Sequence, residues 1–343
     1  LLAWVILGRR TRIMTQHLNS ATMPQFFEAR FGSSSLKIAA SIVTFIFLIP
    51  YTASLYNGLS RLFGMAFNID YAVCVVVMAV LTGIYVIAGG YMATAINDFV
   101  QGIIMLFGIC AVVGAVLKGQ GGFLAALDGM GRVVDESVST TPGVFASFFG
   151  PDPINLLGVV ILTSLGTWGL PQMVQKFYAI KSEHDIHKGT VISTAFAFIV
   201  AGGCYFLGGF GRLFSDQIDV AANGFDSIVP TMLSGLPDIL IAVVVILVLS
   251  ASMSTLSSLV LTSSSTLTLD LLKGHIVKDM DEKKQIIVMR ALLVFFIVLS
   301  VVMAVNPPTF IAQLMGISWG ALAGAFLGPF LWGLYSNKVS RAS

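Results

Sequence analysis

Charge is what this 343-residue chain has least of: Asp, Glu, Lys and Arg make up 10% of it, against 56% hydrophobic residues. Soluble domains carry about a quarter of their residues as charges, so that class is excluded, and a mean hydropathy of +0.91 agrees. The net charge of +2 leaves no basic field for nucleic acid. Cysteine is scarce too. Cys74, Cys110 and Cys204 all fall in apolar runs, which excludes a disulfide framework or a CxxC metal site and makes them packing residues. The histidines, His17, His184, His187 and His275, fall in expected cytoplasmic loops, where the His184/His187 pair reads as solvated rather than metal-binding. No nucleophile triad, phosphate-binding glycine loop or H-E-x-x-H is present, so nothing asks for an enzyme.

What the chain has in abundance is apolar run length. Crossing a hydrocarbon core about 30 Å thick takes about 20 helical residues. Eight stretches qualify, roughly 37–59, 71–91, 98–118, 156–178, 189–210, 238–270, 286–306 and 309–334, and the apolar Leu1 to Gly8 reads as the truncated end of a ninth. The expected fold class is all-α: a polytopic protein of the cytoplasmic membrane, with residues 1–343 as one membrane domain. If the loop after Gly8 is cytoplasmic, strict alternation places 15 of the 19 Lys and Arg inside and leaves Arg61, Lys118, Arg132 and Arg212 outside. That is the asymmetry of the positive-inside rule. Two longer outer loops, Gly119 to Pro153 and Ser215 to Pro237, mix Gly, Pro, Asp and Ser; the first holds apolar pieces expected to form short interfacial helices.

Three features inside this apolar frame carry chemistry. Ser250 to Asp270 reads SASMSTLSSLVLTSSSTLTLD, twelve Ser or Thr in 21 positions. On a helix, Ala251, Ser254, Thr255 and Ser258 fall at i, i+3, i+4 and i+7, which aligns three hydroxyls and a small residue on one stripe. Neutral oxygens in that arrangement suit a hard monovalent cation; alternatively the hydroxyls bond back to their own helix or let a neighbour approach closely. The second feature is LTSLGTWGLPQ, in which Gly166, Gly169 and Pro171 fall within six positions. Pro171 lacks an N–H and clashes with the preceding turn, so a break near mid-membrane is expected, with a plain proline kink as the alternative. Thr163, Ser164, Thr167, Trp168 and Gln172 surround the break and suggest a substrate pocket. The third is AGGYMATAINDFVQ, where Gly89 and Gly90 are expected to end or bend one helix and Asp98 to open the next. Asp98 reads as an N-cap or as a carboxylate on a cation path.

These stretches together resemble the sodium:solute symporter family, which holds bacterial proline, pantothenate, sialic acid and sugar symporters. The carrying segments are RIMTQHLNSATMPQFFEARFGS, IPYTASLYNGLSRLFG, GGYMATAINDFVQ, GLPQMVQKF and, most specific, ASMSTLSS. The resemblance implies the leucine-transporter-like five-plus-five inverted repeat, with the first apolar segment as the end of core helix 2 and the later spans as core helices 3 to 10. By it, core helix 1 and the helices after core helix 10 lie outside these residues, so a fragment that does not transport alone is expected. It implies Na⁺ as the co-transported ion, one or two per cycle. The main site takes the Ala251 carbonyl and the hydroxyls of Ser254 and Thr255; a second, similar to that of some sialic-acid-type members, takes Asp98, Ser257 and Ser258. For the substrate pocket it implies Tyr51, Thr163, Thr167, Trp168 and Gln172; Tyr51 looks like the core-helix-3 aromatic of proline-type members, while Thr163 and Thr167 stand where that pattern has aromatics. The implied activity is sodium-coupled symport of a small organic solute, an amino acid such as proline or a pantothenate-like carboxylate. The alternative is a symporter-like sensor module of a membrane-bound signalling protein. Beyond the solute and the lipid bilayer, no nucleic acid and no obligatory protein partner is expected.

Overall fold

The computed structural model describes residues 2–136, 138–178, 180, 182–218, 224–277 and 280–340. Helix dominates, and the fold follows from how each helix starts and stops. A π-helical turn, Trp4–Gly8, runs straight into α1 (Arg9–His17), so the basic segment expected as loop is helical until Asn19, whose φ of 50° ends it. The short α2 (Met23–Phe31) is capped by the Thr22 hydroxyl, which accepts from the Gln25 N–H at 3.3 Å; Gly32 at φ 63° terminates it. Next comes α3 (Ser34–Phe67), with Pro50 inside it.

Asp70 caps α4 (Tyr71–Gly119), accepting from the Ala72 and Val73 N–H groups at 2.9 and 3.2 Å. Of the two outcomes expected at Gly89 and Gly90, an end or a bend, the end is corrected: helical backbone runs from Tyr71 to Gly119, because glycine keeps its N–H and costs only about 1 kcal/mol relative to alanine. Asp98 therefore lies inside a helix and caps nothing. The element holds two membrane-crossing lengths, Tyr71–Ala88 and Ala95–Gly119. In the outer loop, α5 (Phe123–Arg132) and a short turn at Val144–Ala146 form where interfacial pieces were expected.

The broken span follows: α6 (Pro153–Ser164), a tight turn Gly166–Gly169 and α7 (Pro171–Tyr178), bent by 47°. Ser182 caps α8 (Glu183–Gly209), which places His184 and His187, expected in a loop, on its exposed first turn. After the outer α9 (Ile228–Ser234) come α10 (Asp238–Ser265), continued by a π-helical stretch Thr266–Ile276, then α11 (Glu282–Val305) and α12 (Ile311–Tyr335). Among the described residues seven helical stretches are long and apolar enough to cross a membrane, or eight if the bent pair counts as one span. Cys110 and Cys204 are exposed on α4 and α8, so only Cys74 packs internally.

The core lies where α3, α10, α11 and α12 meet, around the fully buried Leu48, Tyr56, Leu256, Leu259, Phe296 and Phe330. Polar ties close both ends. Outside, Asp226 accepts from the Ile311 N–H at 3.0 Å and from Asn57 Nδ2 at 3.3 Å, 3.8 Å from Arg61, so it joins α3 to the start of α12. Inside, buried Asp270 accepts from Thr22 Oγ1 at 2.7 Å and Gln25 Nε2 at 2.6 Å, and Arg30 donates to the carbonyls of Gly333 and Ser336 at 2.7 and 2.6 Å. These bonds fix α2 against the ends of α10 and α12.

Candidate functional site

The central position of α10 decides what its hydroxyls can do, since it packs against α3, α4, α7 and α11. Thr255 Oγ1 donates to the Ala251 carbonyl at 3.0 Å, and the Ser257 and Ser258 hydroxyls donate to the Ser254 carbonyl at 3.0 and 3.2 Å. The packing alternative is thus partly realised, yet it does not compete with ion binding: a hydroxyl that gives its proton to the preceding turn keeps its lone pairs for a cation. The structure brings Ala251, Ser254 and Thr255 together on the half-buried stripe that their spacing requires.

The second cluster forms across the gap between helices. The Asp98 carboxylate is turned towards the Ser254 hydroxyl and, at longer range, the Lys176 ammonium; its Oδ1 is buried with no hydrogen-bond partner among the described residues. A buried carboxylate oxygen without a partner costs several kcal/mol unless something positive reaches it. Asp98, Ser257 and Ser258 line one cavity of about 290 Å³ together with Gln172, Gln175, Lys176 and Thr262. Both amide heteroatoms of Gln172 are buried and unpartnered among the described residues, while Gln175 Oε1 accepts from Thr262 Oγ1 at 3.0 Å. Sequence reasoning missed Gln175 and Lys176. Their signal was the i, i+3, i+4 spacing from Gln172, which puts all three on one face of α7.

The five residues expected to hold a solute divide between two places. Thr163, Thr167 and Trp168 line a larger cavity, about 690 Å³, with Trp319 of α12 opposite. Tyr51 of α3 meets that Trp319 edge-to-face, ring centroids 5.5 Å apart. Gln172 stands apart from them and faces the Asp98 cavity. Trp168 is 8% exposed, and the break that sets its direction packs tightly: a Cβ on Gly169 would lie 2.9 Å from the Leu327 backbone nitrogen. Among the described residues no group of three or more His, Cys, Asp or Glu side chains is placed to hold a metal ion. The oxygens gathered around α10 are hydroxyls, carbonyls and a single carboxylate, a set that suits a hard monovalent cation.

Comparison with known proteins points the same way. The profile of the sodium:solute symporter family matches residues 1–342. The osmoregulated proline transporter OpuE of Bacillus subtilis is 27% identical over 98% of this chain and 68% of its own length. The sodium/proline symporter of Salmonella typhimurium is 27% identical over 98% and 67%, and the sodium/pantothenate symporter of Haemophilus influenzae 26% over 99% and 69%. All three are transporters. A solved structure of a Na⁺-coupled sialic acid symporter, substrate-bound and outward-open, superposes with a TM-score of 0.77 at 16% identity, covering all of this chain and 72% of that one. At that identity the overlay establishes the fold alone, the leucine-transporter-like arrangement expected from the motifs. With this helix order and a profile match along its whole length, the chain belongs to the sodium:solute symporter family and is a multi-pass protein of the cell membrane.

Proposed function

We propose that the protein carries a small carboxylate-bearing solute, of the proline or pantothenate class, into the cell together with Na⁺. The observation that carries this reading is the α10 stripe facing Asp98, where stacked hydroxyl oxygens meet a buried carboxylate oxygen that has no hydrogen-bond partner among the described residues. Ala251, Ser254 and Thr255 supply neutral oxygens for the main ion. Asp98, Ser257 and Ser258 supply a second site in which the carboxylate balances the charge. A charge moving through 100 mV releases about 2.3 kcal/mol, so one or two ions drive substantial accumulation.

The solute binds against Trp168, Thr163 and Thr167, with the Tyr51 and Trp319 rings closing the pocket. Aromatic faces provide most of the contact area, and the threonine hydroxyls fix orientation. Lys176, on the same broken helix, lines both this pocket and the Asp98 cavity and couples the two, while Gln172 faces the Asp98 cavity. The relatives named for proline and for pantothenate transport support a solute of that size. The test is uptake by the protein as its gene encodes it, reconstituted in proteoliposomes, with unlabelled proline, pantothenate, sialic acid and sugars as competitors. Trp168→Ala raises the solute concentration for half-maximal uptake more than it changes the Na⁺ requirement. If affinity for the competing solute is unchanged in that variant while stability falls, Trp168 is a packing residue and the pocket lies elsewhere.

A further inference from the structure

The short helix α7 is a wall between the two cavities of the site, and one charged residue stands on its edge. Gln172 and Gln175 line the Asp98 cavity, whereas Met173, Val174 and Phe177 line the solute cavity. An α-helix turns about 100° per residue, so Lys176 falls about 40° from Gln172 and about 60° from Met173, on the seam between the two faces. It accordingly lines both cavities.

Charge gives that placement its consequence. Among the described residues lining the two cavities, Asp98 and Lys176 are the ones that carry charge; the hydroxyls, amides, aromatic rings and aliphatic groups around them are neutral. Asp98 feels the Lys176 ammonium, yet Lys176 makes neither an ion pair nor a hydrogen bond among the described residues. Asp98 Oδ1 stays buried without a hydrogen-bond partner among them. The two charges therefore balance at a distance, without being locked together. A lysine ammonium is a compact charge with three donors on a flexible four-carbon stem, so it can turn from one acceptor to another while its helix stays still.

We propose that the Lys176 ammonium exchanges between two carboxylates: it neutralises Asp98 while that cavity holds no ion, and Na⁺ arriving at Asp98, Ser257 and Ser258 releases it to the carboxylate of the solute. The exchange rests on the ion and solute sites proposed for this protein and names the residue that selects the solute. Na⁺ and a carboxylate together add no net charge to the paired cavities. Either one alone leaves a charge uncompensated where water is scarce, which is costly. The coupling is reciprocal: a carboxylate that draws Lys176 away from Asp98 raises Na⁺ affinity by the same factor as Na⁺ raises solute affinity. A solute whose acid group is replaced by an amide or an alcohol has nothing to offer the ammonium and gains nothing from the ion at Asp98.

The experiment is equilibrium binding of labelled Na⁺ to the protein as its gene encodes it, in mild detergent. Binding is measured without solute, then with proline or pantothenate, and then with prolinamide or pantothenol. In the wild type one of the two carboxylates should raise Na⁺ affinity about tenfold, and its amide or alcohol counterpart should not. Without solute, Lys176→Gln should bind Na⁺ at least about threefold more tightly than the wild type, because its internal competitor is gone. The carboxylate should then raise Na⁺ affinity no further, while Lys176→Arg should keep the wild-type response. In an Asp98→Asn background Lys176→Gln should leave Na⁺ binding unaltered. A residue that only supports the fold would weaken Na⁺ and solute together, so the opposite signs separate the two roles. If Asp98→Asn weakens Na⁺ binding but Lys176→Gln leaves it equal or weaker, the ion site stands and the exchange is overturned. If Asp98→Asn binds Na⁺ like the wild type, the second ion site falls and the exchange with it. The wild-type comparison needs no variant: equal effects of carboxylate and amide or alcohol overturn the proposal even where Lys176→Gln fails to fold.

Discussion

Ser254 serves two surfaces at once: its side chain belongs to the Ala251–Thr255 stripe and faces Asp98, while its carbonyl accepts from Ser257 and Ser258. Replacing it should therefore disturb both proposed ion sites, whereas Thr255→Ala should disturb only the proposed main one. Losing one oxygen contact in a dry site costs more than about 1 kcal/mol, and about 1.4 kcal/mol is tenfold in affinity. Either alanine variant is thus expected to raise the Na⁺ concentration for half-maximal uptake about tenfold or more; unchanged Na⁺ dependence in both would remove them from the site. Asp98 has a separate signature. If it holds a second ion with Ser257 and Ser258, the wild-type Hill coefficient for Na⁺ lies clearly above one and falls close to one in Asp98→Asn or in the Ser257→Ala/Ser258→Ala double variant. A wild-type coefficient of one would reduce Asp98 to a packing role. At this scale the sequence was informative where local periodicity suffices: the hydroxyl stripe needed only the 3.6-residue repeat. The position of Asp98 inside a helix was not legible, because two adjacent glycines resemble a helix end yet retain both backbone donors.

The broken helix shows the same division at the scale of an element. Pro171 made the break readable, since a residue without an N–H cannot continue the ladder, and the turn Gly166–Gly169 forms beside it. The 47° angle was not readable. It sends Trp168 and Gln172, four residues apart, into different cavities, and it is set by long-range packing, of the turn against α12 and of α7 against α1, α2 and α10. Gly169 carries that packing, with the backbone of Ala323 and Leu327 at 3.1 and 2.9 Å from where its Cβ would stand. Backbone cannot rotate away as a side chain can, so Gly169→Ala is expected to force the Gly166–Gly169 turn off α12 and cost about 1–3 kcal/mol. The check is a thermal melt in detergent beside solute affinity: both should fall in Gly169→Ala, while Gly158→Ala, which meets open space, should leave both near wild type. A wild-type melting temperature for Gly169→Ala would mean that the break has room to move.

Across the whole molecule, the apolar run lengths and the positive charge at one side placed the helices in the membrane, because crossing a hydrocarbon slab constrains length and composition directly. Long-range ties were silent. The bonds from Thr22 and Gln25 to Asp270 join residues about 250 positions apart, and nothing local marks either partner. What unites the three scales is a claim about energy flow, that sodium bound at α10 drives solute inward. The direct measurement is solute uptake into proteoliposomes under an imposed inward Na⁺ gradient, compared with an equal K⁺ gradient and with equal Na⁺ on both sides. The account predicts transient accumulation above equilibrium under the inward Na⁺ gradient only, steepened by an inside-negative potential; accumulation that is indifferent to Na⁺ would contradict it.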